Sequence, residues 1–442
     1  MSVAVAFAFA PAAARSATRE VLAGLPGYDQ SGNSVAATGG DGWMVVVEAV
    51  GGSTMIVKLH HGVVSAAVRT HQPGYFDPSI TLLAAAIDRR GDVVVVSDIG
   101  ADDFFDIVVG RWPAGGRLLP WRRVVSVNTS CSGCMGPYEY AWAAVDRRGG
   151  VVVAASAVGN LAILSGTIAG RLTRVRLPGS ILTSLAVRMG LDGRPQVVWS
   201  SAGRSGQTSA IELSVVSAGR FERTRTLLAF DRRDAWDGGY PTAREDGLLD
   251  FQWGSGGGWI AGWPGVTGRS YVAVSRGSGV GGPGTRTDAG EGDLQPVPGS
   301  PIGGGLTAVG LGPDGRGLVV WTAQTIPPDQ EIGTLHARGI TPSGCTGRAR
   351  RLGESSTGVL SYGTALPIAL DVGQRGSFAA AYIDDRQRIV TVVCRLGGSC
   401  APQPIGDGHD HAGPLIAQLT RAGARITFED AAGDVLQADV RL

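Results

Sequence analysis

The chain is poor in lysine, cysteine, aromatic residues and net charge, and each shortage closes off a class of explanation. Its 442 residues carry a formal charge of +1. Acids and bases are interspersed, so no basic face invites nucleic acid or anionic lipid. Lys58 is the sole lysine, and the arginine-rich remainder, with its load of alanine, valine and glycine, reads as the coding bias of a GC-rich genome. Beyond the first residues, no segment approaches the ~20 continuous apolar residues of a membrane helix. Glycine is abundant, at 69 residues beside 23 prolines, yet there is no Gly-X-Y period and no long polar tract. That combination points to many tight turns and away from collagen or disorder.

What the sequence does contain is a repeat. "AIDRRGDVVVVSD" (86–98) and "AVDRRGGVVVAAS" (144–156) are near-copies, and "VRMGLDGRPQVVWSS" (187–201), "VGLGPDGRGLVVWTA" (309–323) and "ALDVGQRGSFAAAYID" (369–384) follow the same grammar. An Ala-rich strand leads into an Asp/Gly turn and then a β-branched run, which is the pattern of a β-hairpin. The closing glycines are Gly42, Gly91, Gly149, Gly193, Gly315, Gly376 and Gly423. One interval, from Gly193 to Gly315, is about double the rest, and "LLDFQWGSGGGWIAGWPG" (248–265) fills it with a degenerate copy turning near Gly257. A second pair of β-like segments follows each hairpin, as in "STMIVKLHHGVVSAAVRTH" and "NLAILSGTIAGRLTRVRLPG".

Four strands per unit, repeated eight times without helical periodicity, predict an all-β chain folded as an eight-bladed β-propeller of four-stranded antiparallel blades. Seven blades would follow if the stretch around Gly257 were an insertion, and two stacked sandwiches are the blander alternative. The last copy stops after its third strand, and "ATREVLAGLPG" near the start resembles a fourth strand, so the N-terminal segment is expected to complete the last blade and close the ring. Small residues in "LLAAAI" (82–87), "AWAAV" (141–145), "LTAVG" (306–310) and "PIALD" (367–371) suit innermost strands around a narrow channel.

The two DRRG hairpins resemble those of NHL-type and related secreted bacterial propeller repeats, and "AYIDDRQRIVTV" (381–392) resembles the stretch leading into the third strand of such a repeat. The resemblance covers the inner hairpin of about six units and implies the fold; members of these groups range from protein and RNA binders to lyases. The periods here are longer and less even, and the Asn that follows the turn glycine in those repeats is replaced by Asp92, Gly150 or Arg194. No specific family follows from it.

Residues 1–14 look like a secretory signal without its basic start, with Ala12 and Ala14 offering an A-x-A cleavage site, and the alternative is a hydrophobic first strand. Residues 15–442 are then one propeller domain, exported to the cell exterior, surface or periplasm. In a propeller, the connections between blades and between second and third strands emerge on one face. Tyr75, Phe76, Tyr138, Tyr140, Trp236 and Tyr240 fall there as stacking surfaces, with Asp102, Asp103, Asp237 and Asp385 as acceptors; the bland reading is that such aromatics pack their own loops down.

His409 and His411 in "DGHDHAG" alternate on one side of an extended segment and read either as a solvated loop or as two ligands for zinc or copper. Cys131 and Cys134 read as a loop-bracing disulfide, since the flanking residues fit neither a thioredoxin motif nor haem attachment. Cys394 and Cys400 flank "RLGGS" and suit a cross-hairpin disulfide, which leaves Cys345 alone. Asp-box and quinoprotein repeat patterns are not met. The expectation is a monomeric, non-enzymatic binding scaffold for an extracellular glycan or protein, with no cofactor, or alternatively a polysaccharide hydrolase or lyase using carboxylates and His at the channel mouth.

Overall fold

The computed structural model describes residues 17–20, 34–50, 52–71, 79–101, 104–128, 139–157, 160–190, 192–202, 208–229, 250–254, 258–264, 270–275, 295–296, 304–323, 332–341, 344–356, 368–395, 401–408 and 415–441. These residues form eight four-stranded antiparallel sheets, each a simple meander. Blades 1 to 7 span 34–71, 79–128, 139–174, 181–229, 250–296, 304–356 and 368–407. Blade 8 takes three strands from 415–441 and its outermost strand, Ala17–Glu20, from the other end of the chain, with Thr18 opposite Ala438. The first strands of all eight blades contact one another in sequence, and blade 8 returns to blade 1, so the ring is closed. The expected N-terminal closing strand is therefore present, and the segment around Gly257 belongs to a true blade.

Blade position explains strand chemistry. A second strand is sandwiched between neighbouring blades on both faces, and Val93–Val96 and Val151–Val153 are accordingly fully buried in unbroken runs. Outermost strands have one open side, and Val63–His71 alternates between exposed and half-buried. Apolar burial is divided among the blade interfaces. One cluster joins Val94, Val96 and Ile107 of blade 2 to Val151, Val153 and Leu164 of blade 3, and another joins Ala381 and Ile405 of blade 7 to Ile426 and Phe428 of blade 8. At about 25 cal/mol per Å² of apolar area, each such valine contributes roughly 1.5 kcal/mol or more, so every blade is held chiefly by its two neighbours.

The turns repeat their own chemistry. Six of the seven glycines picked out by sequence have φ between 72° (Gly376) and 86° (Gly91), the left-handed region that glycine enters without a Cβ penalty. Gly423, at 159°, is the exception, because its hairpin is tighter and closes on a 2.9 Å bond from Thr420 N–H to Gly423 O. Carboxylates also staple blade to blade. Asp250 Oδ2 accepts Val309 N–H, Asp371 Oδ2 accepts Leu419 N–H, and Asp314 Oδ2 accepts Arg375 N–H, at 2.7–2.8 Å. Among the described residues no helix is long and apolar enough to cross a membrane.

Candidate functional site

Strand direction alternates within each blade, so the ring has two unlike faces. Inner turns are short on one face, running only from Ile87 to Val93 or from Leu419 to Gly423. The links between blades begin and end on the other face and are long, as in 129–138, 230–249 and 357–367. Most of the expected ligand-binding rim falls in these links and in the second-to-third turns. Tyr75, Phe76, Asp102, Asp103, Tyr138, Trp236, Asp237, Tyr240, His409 and His411 all lie outside the described residues, as do Cys131, Cys134 and Cys400. Cys394 is buried at the end of the third strand of blade 7, while Cys345 is a free, half-buried thiol.

Two rim residues are placed. Tyr140 belongs to the channel-lining strand Glu139–Val145, opposite Ser156, and not to a loop as its aromatic-rich neighbourhood suggested. Asp385 is exposed in the second-to-third turn of blade 7, on the long-link face. Its neighbour Asp384 is committed to structure: Oδ1 accepts the N–H groups of Arg386 and Arg388 at 3.0 and 2.8 Å, and Oδ2 accepts the Arg388 guanidinium at 2.6 and 2.9 Å. Burial works to raise the Asp384 carboxyl, but the Arg388 guanidinium and these backbone donors outweigh it and hold it below the usual carboxylate range.

That turn also anchors the start of the His409–His411 segment. Gly408 N–H donates to Gln387 O at 2.7 Å, and Asp407 O accepts Ala431 N–H of blade 8 at 3.2 Å. The chain is thereby fixed as far as Gly408, between the turns of blades 7 and 8; His409 and His411 lie outside the described residues. Ser34 of blade 1 donates to the buried Glu429 of blade 8, joining the same face across the ring closure. Among the described residues no group of three or more His, Cys, Asp or Glu is arranged to hold a metal ion.

The short-turn face has the larger described cavity, about 510 Å³, at the channel mouth under blades 1 to 4. Asp88, Arg89, Asp146, Arg147 and Arg148 line it, with glycines on its flanks. Sequence reading passed over these arginines because near-zero net charge hides a local cluster; the signal was the Arg-Arg pair in both copies of "DRRG".

No family model and no curated protein matches the chain. Solved structures do. The chain resembles the Dos1 propeller at 10% identity over 96% of this chain and 95% of that one, with a TM-score of 0.52. It also resembles a streptogramin B lyase at 11% identity over 96% of this chain and 98% of that one, TM-score 0.40. YCF48 bound to D1 peptide is similar at 10% identity over 84% of this chain and 99% of that one, TM-score 0.42. At 10% identity the likeness to the Dos1 propeller establishes the propeller fold alone.

Proposed function

We propose that the protein is a non-enzymatic binding scaffold of the cell exterior, recognising an extracellular glycan or protein through the face that bears the long links. The observation that carries this reading is the inequality of the two faces. On one side the first-to-second turns are tight and mostly close through a left-handed glycine, with one long connection, 276–294, in blade 5; the other collects 72–78, 129–138, 230–249 and 357–367, together with most of the chain's stretches that combine aromatics and acids. Long connections on a rigid scaffold are where binding residues concentrate, since the ring fixes their ends and leaves their side chains to vary.

Aromatic rings at Tyr75, Trp236 and Tyr240 supply stacking area, and Asp237 and Asp385 supply acceptors for sugar hydroxyls or peptide N–H groups. The test is a glycan array and a surface-protein capture screen with the purified chain, repeated with Trp236→Ala and Tyr240→Ala. Binding that falls at least tenfold in these variants, with an unchanged melting temperature, supports the reading. Release of reducing ends from a polysaccharide by the wild-type chain, lost when Asp237 or His409 is replaced, would overturn it in favour of an enzyme.

A further inference from the structure

Only two of the eight inner turns contain the pair Arg-Arg, and they belong to adjacent blades. These are "DRRGD" (88–92) of blade 2 and "DRRGG" (146–150) of blade 3. Each opening Asp folds back on its own turn. Asp88 Oδ1 accepts the N–H groups of Arg90 and Asp92 at 2.8 and 2.9 Å, and Asp146 Oδ1 accepts those of Arg148 and Gly150 at 2.9 and 2.7 Å. The carboxylates are thereby committed to shaping the turns.

Arg90 is committed as well. It pairs with Asp92 at 2.9 Å and donates to Arg147 O at 3.1 Å, which ties the two turns together. The charges of Asp92 and Asp88 also act on Lys58, so these two anions are shared between Arg90 and Lys58. Arg89, Arg147 and Arg148 are left over: all three are exposed, all three line the cavity, and none makes an ion pair among the described residues. The contrast on the same face is Arg194, which is held by Asp192 at 2.7 Å and Glu222 at 3.6 Å.

The walls of the cavity keep it open. Blades 1 and 4 border it with Gly39, Gly40, Gly190 and Gly193; Gly40 takes the place that Arg89 has in blade 2, and Gly39 and Gly190 take that of Asp88 and Asp146. A Cβ at Gly39 would stand 2.7 Å from Asp88 O, and one at Gly190 would stand 2.7 Å from Asp192 Oδ1. Arg148 also borders a second cavity of about 350 Å³ between blades 3 and 4. Three guanidiniums on two successive turns, around an opening whose lining carboxylates Asp88 and Asp146 accept backbone N–H groups of their own turns, are suited to bidentate contacts to carboxylate or phosphate oxygens.

We propose that the short-turn mouth of the channel is an anion-binding site, taking a small ligand with two or more carboxylate or phosphate groups between Arg89 of blade 2 and Arg147 and Arg148 of blade 3. It lies on the face opposite the long links and is independent of the binding reading above. The spread of the arginines over two turns selects for multivalency, because a single carboxylate engages one turn only.

The experiment is calorimetric titration of the full chain at about 50 mM salt with citrate, inorganic pyrophosphate and acetate. Citrate or pyrophosphate is expected to bind at least tenfold tighter than acetate, and the tighter of the two names the ligand class. Arg89→Ala and Arg148→Ala each weaken that binding at least tenfold, Arg148→Lys retains part of it, and Arg316→Ala, on the inner turn of blade 6, leaves it unchanged. Because the replaced side chains are exposed, circular dichroism and melting temperature serve as the folding control. Absence of a preference over acetate overturns the proposal, as does equal weakening by Arg316→Ala, which would mean diffuse charge in place of a site.

Discussion

The ammonium of Lys58 stands 4.0 Å from the centre of the Trp112 ring and donates to the carbonyls of Trp112 and Pro113 at 3.3 and 3.2 Å. This sole lysine is 2% exposed at the interface of blades 1 and 2. Desolvation pulls its pKa down to about 8, against the opposing charges of Asp92 and Asp88. In the unfolded chain the same group keeps its proton to about 10.5. Between these values the unfolded state binds the extra proton, so raising the pH from 8 towards 10.5 favours the fold; below 8 both states are protonated and the cost of burying the charge is present in full. The stability difference between the wild-type chain and Lys58→Met should therefore move in the wild type's favour across that window. Lys58→Met itself should lose roughly 1–3 kcal/mol at pH 7, since the two carbonyls lose a donor and Asp92 loses a nearby positive charge. Denaturant melts of both proteins at pH 7, 8.5 and 10 check both statements.

Asp250 behaves in the opposite sense. Burial raises its carboxyl to about 6, although Val309 N–H, the Gln252 amide and Phe251 N–H hold it down. The folded state then binds more protons than the unfolded one between about 4 and 6, and stability drawn from this group falls as pH rises through that range. Asp250→Asn keeps an acceptor for Val309 N–H and removes the buried charge. It should raise the melting temperature at pH 7.5 and leave it nearly unchanged at pH 4.5. Asp250→Ala strands the Val309 donor and should cost about 1–3 kcal/mol.

Gly91 and Gly315 share a left-handed backbone, with φ of 86° and 77°, but not their surroundings. A Cβ at Gly315 meets nothing within 4 Å, while one at Gly91 lies 3.1 Å from the Trp43 ring. Gly315→Ala should cost the conformational penalty alone, on the order of 1 kcal/mol. Gly91→Ala adds displacement of Trp43, which stacks on His60 at 4.5 Å, and should cost measurably more. Parallel thermal melts of the two variants decide it.

Ring closure rests on Ala17–Glu20, paired in register with Leu436–Asp439. Deleting residues 1–24 should leave Val435–Arg441 as an open edge, lower the melting temperature by at least about 5 °C and promote association. A synthetic peptide of residues 15–24 added in excess should restore part of the loss. Unchanged melting of the truncated chain would show that the strand pairing contributes nothing.

Architecture was legible because a blade repeats one physical problem eight times. Ala in "LLAAAI", Val in "VVVV" and a turn glycine answer the same demands of a crowded centre, a doubly covered layer and a reversed chain. The strand that closes blade 8 was recognisable by likeness to another fourth strand, 172–174. Tyr140, expected in a connection, is the second residue of a first strand, because a tyrosine at a strand end and one in a loop look alike without the register to Ser156. Arg89, Arg147 and Arg148 went unread for a different reason: whether an arginine is free or spoken for depends on partners from other blades, as Arg90 and Arg194 show, and composition averages that away.

Because blade 8 is made from both ends of the chain, assembly has a fixed order in time. Ala17–Glu20 is synthesised long before its partner Val435–Arg441. At ordinary translation speeds the interval is on the order of tens of seconds. Until then the other seven blades can stack only as an open arc, so the complete circle is a property of the finished chain, and a ribosome that stops early releases a molecule with two sticky rims.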